Sequence, residues 1–180
     1  MAESVAVTYG GPLFELACET SLQGQILEDL ETLDTVFSEN PDFFRLLCAP
    51  VVPVGERIAL VRDILSGKLE EYTLNFLSLL IEKLRIGEFG PIAKEYKRLH
   101  HEYYGIQEVT VRSALPISQP LQEKLEAALE RLTRKKVIVR YVSDSSLLGG
   151  VLIETEGSVL DGSIRERLDA LGRQLSATLG

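Results

Sequence analysis

The apolar residues of this 180-residue chain change their spacing near Gly105, and that change limits what it can fold into. Before it they recur every three or four positions, like the buried stripe of an α-helix; after it, short stretches alternate with a period of two, like half-buried strands. The spacing predicts a mostly α protein, with an N-terminal six-helix bundle over 1–105 followed by a small α+β domain over 106–180. A composition of 45% hydrophobic and 26% charged residues supplies a packed core. No internal repeat or low-complexity linker interrupts it.

Six helices account for the first part. The first runs from Ser4 to Glu19, with Tyr9, Leu13, Leu16 and Ala17 on one face. Two glycines and a proline at 10–12 interrupt it. Each glycine costs roughly 1 kcal/mol in a helix and an interior proline about 3, so the helix is expected to kink or begin again at Pro12. The second carries Ile26, Leu30, Leu33 and Phe37. Asn40 is expected to cap a short third helix with Pro41 at its first position, where a missing N–H costs nothing. Pro50 and Pro53 enclose an extended connection. The fourth uses Ile58, Leu60, Val61, Ile64 and Leu65 and ends at Gly67. The fifth, Glu70 to Arg85, is apolar on more than one side: Leu74, Leu77, Ile81 and Leu84 make one stripe, and Phe76, Leu79 and Leu80 widen it. Such a helix is central, or lends one face to a partner. After Gly87 the sixth carries Ile92, Tyr96, Leu99 and Tyr103.

In the second part, residues 108–114 and 137–142 alternate as strands around a helix opened by Ser118 and Pro120, and a third strand spans 151–156. A last helix is expected from the capping box Ser163 to Glu166, with Asp161 adding favourable negative charge at its start and Ile164, Leu168, Leu171, Leu175 and Leu179 on one stripe.

The net charge of −8 is uneven: residues 1–105 hold 17 acids and 9 bases, residues 106–180 hold 10 and 10. Nine acids precede the first base, Arg45, so this surface repels phosphate backbones and anionic headgroups. Residues 1–30 fit neither an Arg-rich organelle-targeting peptide nor a secretory signal, so the chain reads as mature and cytosolic. No apolar run nears the roughly 20 residues of a spanning helix, so any membrane contact is indirect, through a complex.

Chemistry is poorly provided for. Gly149 and Gly150 precede a strand and lack GxGxxG spacing, which favours a bulge over a phosphate loop. Cys18 and Cys48 form no CxxC pair. His100 and His101 are adjacent on a helix and point about 100° apart, a poor metal pair. Asp161 and Ser163 have no linked histidine for hydrolysis. Catalytic, metal and cofactor sites are therefore all assigned as none. One basic cluster, Arg131, Arg134, Lys135, Lys136 and Arg140, admits an RNA-binding adaptor as the alternative reading, or an acidic helix as partner.

Residues 147–171, LLGGVLIETEGSVLDGSIRERLDAL, place a strand, two glycines, a turn and a capped helix in one span. This resembles the C-terminal signature of the delta subunit of rotary ATP synthases, counterpart of the mitochondrial oligomycin-sensitivity-conferring protein. The resemblance extends along the chain through Tyr9 and LFELA at 13–17, Leu47, Pro50, Arg57, FLSLLIEKLR at 76–85, Val111, Ser113, Ala114, Leu148, Gly149, Gly150, Val151, Asp161, Gly162 and Ser163. It implies a peripheral-stalk connector without catalysis or cofactor, at the cytoplasmic face of a bacterial membrane. The bundle would grip N-terminal helices of the alpha subunits, and the C-terminal domain would join the b-type stalk subunits. It further implies that the alpha helix lies between helices one and five, against Tyr9, Leu13, Ala17, Phe76, Leu79, Leu80 and Lys83.

Overall fold

A computed structural model describes residues 2–147, 150–155 and 158–161. The fold is mostly helical with a small sheet, and the chain forms two compact units, Met1–His101 and Glu102–Gly180.

The first unit contains α1 (Ala2–Thr20), α2 (Gln23–Glu39), α3 (Pro41–Cys48), α4 (Val54–Leu65), α5 (Glu71–Glu82), a 3-10 turn at Ile86–Glu88 and α6, which starts at Phe89 and runs to Tyr104. Its core takes Leu13 and Ala17 from α1, the Ile26–Leu30–Leu33–Phe37 stripe of α2, Leu47, Val61, five residues of α5, and Phe89, Ile92 and Tyr96. Aromatic edges lock it: Phe14 meets Tyr96 at 5.4 Å and Phe37 meets Phe89 at 5.0 Å, both nearly perpendicular. The buried Tyr96 hydroxyl donates to the Gln23 carbonyl at 3.0 Å, which ties α6 to the start of α2.

Four expectations fail here, each for a local reason. Helix α1 runs through Gly10, Gly11 and Pro12 as one element and does not begin again at Pro12. Gly10 is buried, and a Cβ built on it would lie 3.1 Å from Glu95 Cγ and 3.3 Å from the Ile92 carbonyl oxygen. The missing side chain therefore lets α1 approach α6, and that packing offsets the propensity cost. Asn40 does not cap α3; its amide donates to the Val36 carbonyl at 2.9 Å and closes α2 instead. On α4 the buried face is Arg57, Val61 and Leu65, while Ile64 is 41% exposed. Helix α5 stops at Glu82, because Leu84 adopts a left-handed φ of 56° and turns out to solvent.

Two polar contacts hold these helices in place. Arg57, 1% exposed, donates from Nη1 to the Leu47 carbonyl at 2.8 Å, a cation at the C-terminus of α3 where the helix dipole favours it. The residue ahead of α5, Glu70, provides no side-chain cap. Asp29 of α2 does so from across the unit: its Oδ2 accepts the Glu70 N–H at 2.8 Å and the Thr73 hydroxyl at 2.7 Å. A carboxylate there satisfies an orphan N–H and complements the positive end of α5.

In the second unit β1 (Ile106–Ser113), α7 (Gln119–Thr133) and β2 (Lys136–Ser143) form a parallel crossover, with Ile106 opposite Lys136. β3 (Val151–Thr155) and β4 (Ser158–Asp161) add antiparallel strands, giving the order β2-β1-β3-β4. Leu129 of α7 packs on Val109 and Val111. β4 was unexpected: Asp161, read as the acidic entry to a helix, pairs with Leu152 at the end of a strand. The helix expected from Ser163 lies outside the described residues.

Gly10→Ala should destabilise the chain by about 1–3 kcal/mol through overpacking. Gly11→Ala, whose Cβ meets nothing within 4 Å, should stabilise it by up to about 1 kcal/mol. Asp29→Ala should cost about 1–2 kcal/mol, since it removes the cap and strands the buried Thr73 hydroxyl. Urea denaturation of the three variants measures all of these.

Candidate partner-binding groove

Helices α1 and α5 leave a trough of about 380 Å³ between them, lined by Thr8, Tyr9, Pro12, Leu13 and Leu16 on one side and Tyr72, Asn75, Phe76 and Leu79 on the other. The two sides have related origins. On α1 the core takes Ala6, Leu13, Phe14 and Ala17, so the adjoining strip at Thr8, Pro12 and Leu16 faces outward. On α5 the core takes Leu74, Leu77, Leu80 and Ile81, which turns Tyr72, Asn75 and Leu79 to the groove. Leu16, Tyr72 and Leu79 are 36%, 40% and 39% exposed, while Leu13 and Phe76 form a nearly buried floor.

The nine lining residues bring apolar, hydroxyl, phenol and amide side chains to the trough and no carboxylate, amine, guanidinium or imidazole. At one edge Arg62 donates from Nη2 to Asn75 Oδ1 at 2.6 Å. The trough's hydroxyls, on Thr8, Tyr9 and Tyr72, have no carboxylate, imidazole or amine in the lining to activate them. The trough can hold an apolar strip of about the width of one helix face.

The structure brings Tyr9, Leu13, Phe76 and Leu79 together in this trough and separates Ala17, Leu80 and Lys83 from it. Ala17 and Leu80 are fully buried and support the floor from within the core. Lys83 ends α5 as its cap residue and lies 3.8 Å from Glu82, outside the lining. Thr8, Pro12, Leu16, Tyr72 and Asn75 line the trough without having been anticipated. Leu16 was expected to share one face with Tyr9, Leu13 and Ala17, of which Ala17 is enclosed while Leu16 is part-exposed; the 3-4 spacing of Tyr72, Asn75 and Leu79 was the available signal.

Of the C-terminal signature, Gly150 adopts a left-handed φ of 84°, a conformation that favours glycine. Asp161 is in β4, and Leu148, Gly149, Gly162 and Ser163 lie outside the described residues. The basic residues of 131–140 are all exposed around the end of α7 and along β2. The Tyr141 hydroxyl instead donates inward to Glu126 Oε1 at 3.0 Å, and burial with that carboxylate's influence pushes its pKa up to about 12. His100 and His101 lie ring to ring at 5.9 Å, and among the described residues no cluster could hold a metal ion. Burial and the neighbouring His101 push His100 below its ordinary pKa.

The profile of the ATP synthase delta (OSCP) subunit family matches residues 5–175. The chain belongs to that family. ATP synthase subunit delta of Gloeobacter violaceus is 34% identical, with 97% of this chain and 96% of that protein aligned. The subunit delta of Halalkalibacterium halodurans is 30% identical over 96% and 94%. The same fold occurs in a chain of the Toxoplasma gondii mitochondrial ATP synthase hexamer, with a TM-score of 0.74, 20% identity, and coverage of 94% of this chain and 96% of that one. As a member of the delta (OSCP) family the chain is a non-catalytic subunit of ATP synthase. Among its described residues no helix is long and apolar enough to cross a membrane.

Core and groove should separate by mutation. Leu80→Ala is expected to cost about 2–5 kcal/mol by leaving a cavity, whereas Leu79→Asp, at a half-open position, should change stability by under about 1 kcal/mol. Thermal denaturation of both variants provides the comparison.

Proposed function

We propose that this delta-family subunit is the peripheral-stalk connector of a proton-translocating rotary ATP synthase, and that its α1–α5 groove receives the N-terminal helix of an alpha subunit of the catalytic head. On this reading residues 1–105 act as a six-helix bundle facing the head, and residues 106–180 join the b-type stalk subunits. The assembly stands at the cytoplasmic face of a bacterial membrane, with this chain touching the membrane only through the complex. Holding the head to the stalk keeps it from turning with the rotor, so that rotation drives synthesis.

The trough itself is the observation that supports the reading. Three large side chains, Leu16, Tyr72 and Leu79, stand part-exposed over a floor of Leu13 and Phe76. An amphipathic helix laid there would bury anchors at i, i+3 or i+4 and i+7. Each fully buried aliphatic anchor contributes about 1.5–3 kcal/mol before the cost of ordering the helix. A connector under torque needs such apolar contacts, because exposed ion pairs contribute little and weaken with salt.

The experiment is titration of the full chain with a peptide copied from the N-terminus of the cognate alpha subunit, followed by amide shifts. Shifts concentrated on α1 and α5 are expected, and Leu79→Asp should weaken binding about tenfold or more, since it places a charge against an apolar anchor. Unchanged spectra, or wild-type affinity in the variant, would remove the groove from the proposal.

A further inference from the structure

β2 stands at the end of the sheet, and among the described residues no strand pairs with its outer edge. Two hydrogen bonds fix the direction of its backbone groups. The Lys136 N–H donates to the Gly105 carbonyl at 3.0 Å, and the Asp144 N–H donates to the Ser113 carbonyl at 2.9 Å. Because the strands run parallel with Ile106 opposite Lys136, even-numbered residues of β2 turn their N–H and C=O toward β1. Val137, Val139, Tyr141 and Ser143 turn theirs outward. That row of donors and acceptors is a template for one more strand.

Side chains alternate across the two faces of this strand. Val137, Val139 and Tyr141 pack with the core beside α7. Lys136, Ile138 and Arg140 are exposed, Ile138 by 46%. Arg134 and Lys135 lead into the strand, and Arg131 precedes them on α7. The ten residues 131–140 thus hold five cations and no acid, in a chain of net charge −8. None of the five forms a salt bridge among the described residues. Acids close to the strand are Glu126 and Glu130 on α7, Asp144 directly after it, and Glu108 one strand inward, opposite Ile138.

Charges on an edge strand ordinarily deter pairing with other strands. When all carry one sign they deter only neutral or like-charged strands, and an acidic strand becomes the favoured occupant. We infer that the β2 edge is a docking site for an extended acidic segment of a stalk-side partner protein, added to the sheet as a further strand. Lys136, Ile138 and Arg140 fall on one face two residues apart, so the segment carries the pattern acid–x–apolar–x–acid, which reads the same in either strand direction. RNA is the weaker fit. Tyr141, the one aromatic of the strand, points its hydroxyl into Glu126 and Gln122 and is not offered for stacking, and RNA makes no use of the outward backbone ladder.

The partner's origin rests on the stalk-side role proposed above for this unit, while the site itself rests on β2. The probe is a labelled peptide TETVTET, titrated into the full chain at low salt, with the alpha-subunit peptide titrated into the same sample. TETVTET should shift the amides of Val137, Val139, Tyr141 and Ser143. The lysine counterpart TKTVTKT should not bind, and N-methylation of alternate peptide amides should abolish binding with every side chain retained. The exposed double variant Lys136→Glu, Arg140→Glu should bind TETVTET about tenfold more weakly and keep its affinity for the alpha-subunit peptide.

Equal binding of the N-methylated peptide, or of the double variant, would overturn the inference by reducing it to unspecific charge attraction. So would displacement of TETVTET by an RNA oligonucleotide or by phosphatidylglycerol vesicles at equal charge concentration. A chain that binds the alpha-subunit peptide but not TETVTET loses this inference alone, and the reverse result removes the groove alone.

Discussion

Helix α5 has more apolar surface than one core can cover, and the organisation of the first unit follows from how that surface is divided. Leu74, Leu77, Leu80 and Ile81 go inward with Phe76 at the margin, and Tyr72 and Leu79 remain part-open toward α1. A shift of α5 by one residue would rotate it by about 100° and exchange the two sets. Its placement is therefore held by more than hydrophobic burial, which is non-directional.

Directional contacts supply the rest. The Asp29 carboxylate on the Glu70 N–H and Thr73 hydroxyl sets the start of α5. The absent side chain at Gly10 sets how closely α1 lies on α6. Glu95, against which a Cβ would press, is itself gripped by Arg98 through hydrogen bonds of 2.9 and 2.8 Å, which also hold its carboxyl below the usual range. That neighbour yields poorly, so the glycine fixes a spacing. The groove is thus a product of two rigid placements, suited to a subunit that transmits force and performs no chemistry.

The second unit solves a different problem. Its parallel β1–α7–β2 crossover buries Val109, Val111 and Leu129 on one side, and the order of strands puts β2 at an edge. The cations of 131–140, scattered in a linear reading between a helix end and a strand, come to border one row of outward backbone groups. The RNA-binding alternative drew on the same residues and finds no support in the family to which the chain belongs.

Periodicity alone determined that helices precede strands and which residues of α2 are buried, because a repeat of 3.6 or 2 is a local property of the chain. The buried stripe of α2 is the one its spacing predicts, Ile26, Leu30, Leu33 and Phe37. The motif series also carried the family. What spacing could not reveal was which of two apolar strips on α1 and α5 meets the core. Ala17 and Leu16 are adjacent apolar residues, as are Leu80 and Leu79, yet Ala17 and Leu80 are enclosed while Leu16 and Leu79 stand part-open over the trough. Continuity of α1 through Gly10 to Pro12, the capping of α5 by Asp29 and the outer edge of β2 likewise depend on residues far apart in sequence. Tertiary packing decided them, because a helix or strand records its own period but not the surface it will meet.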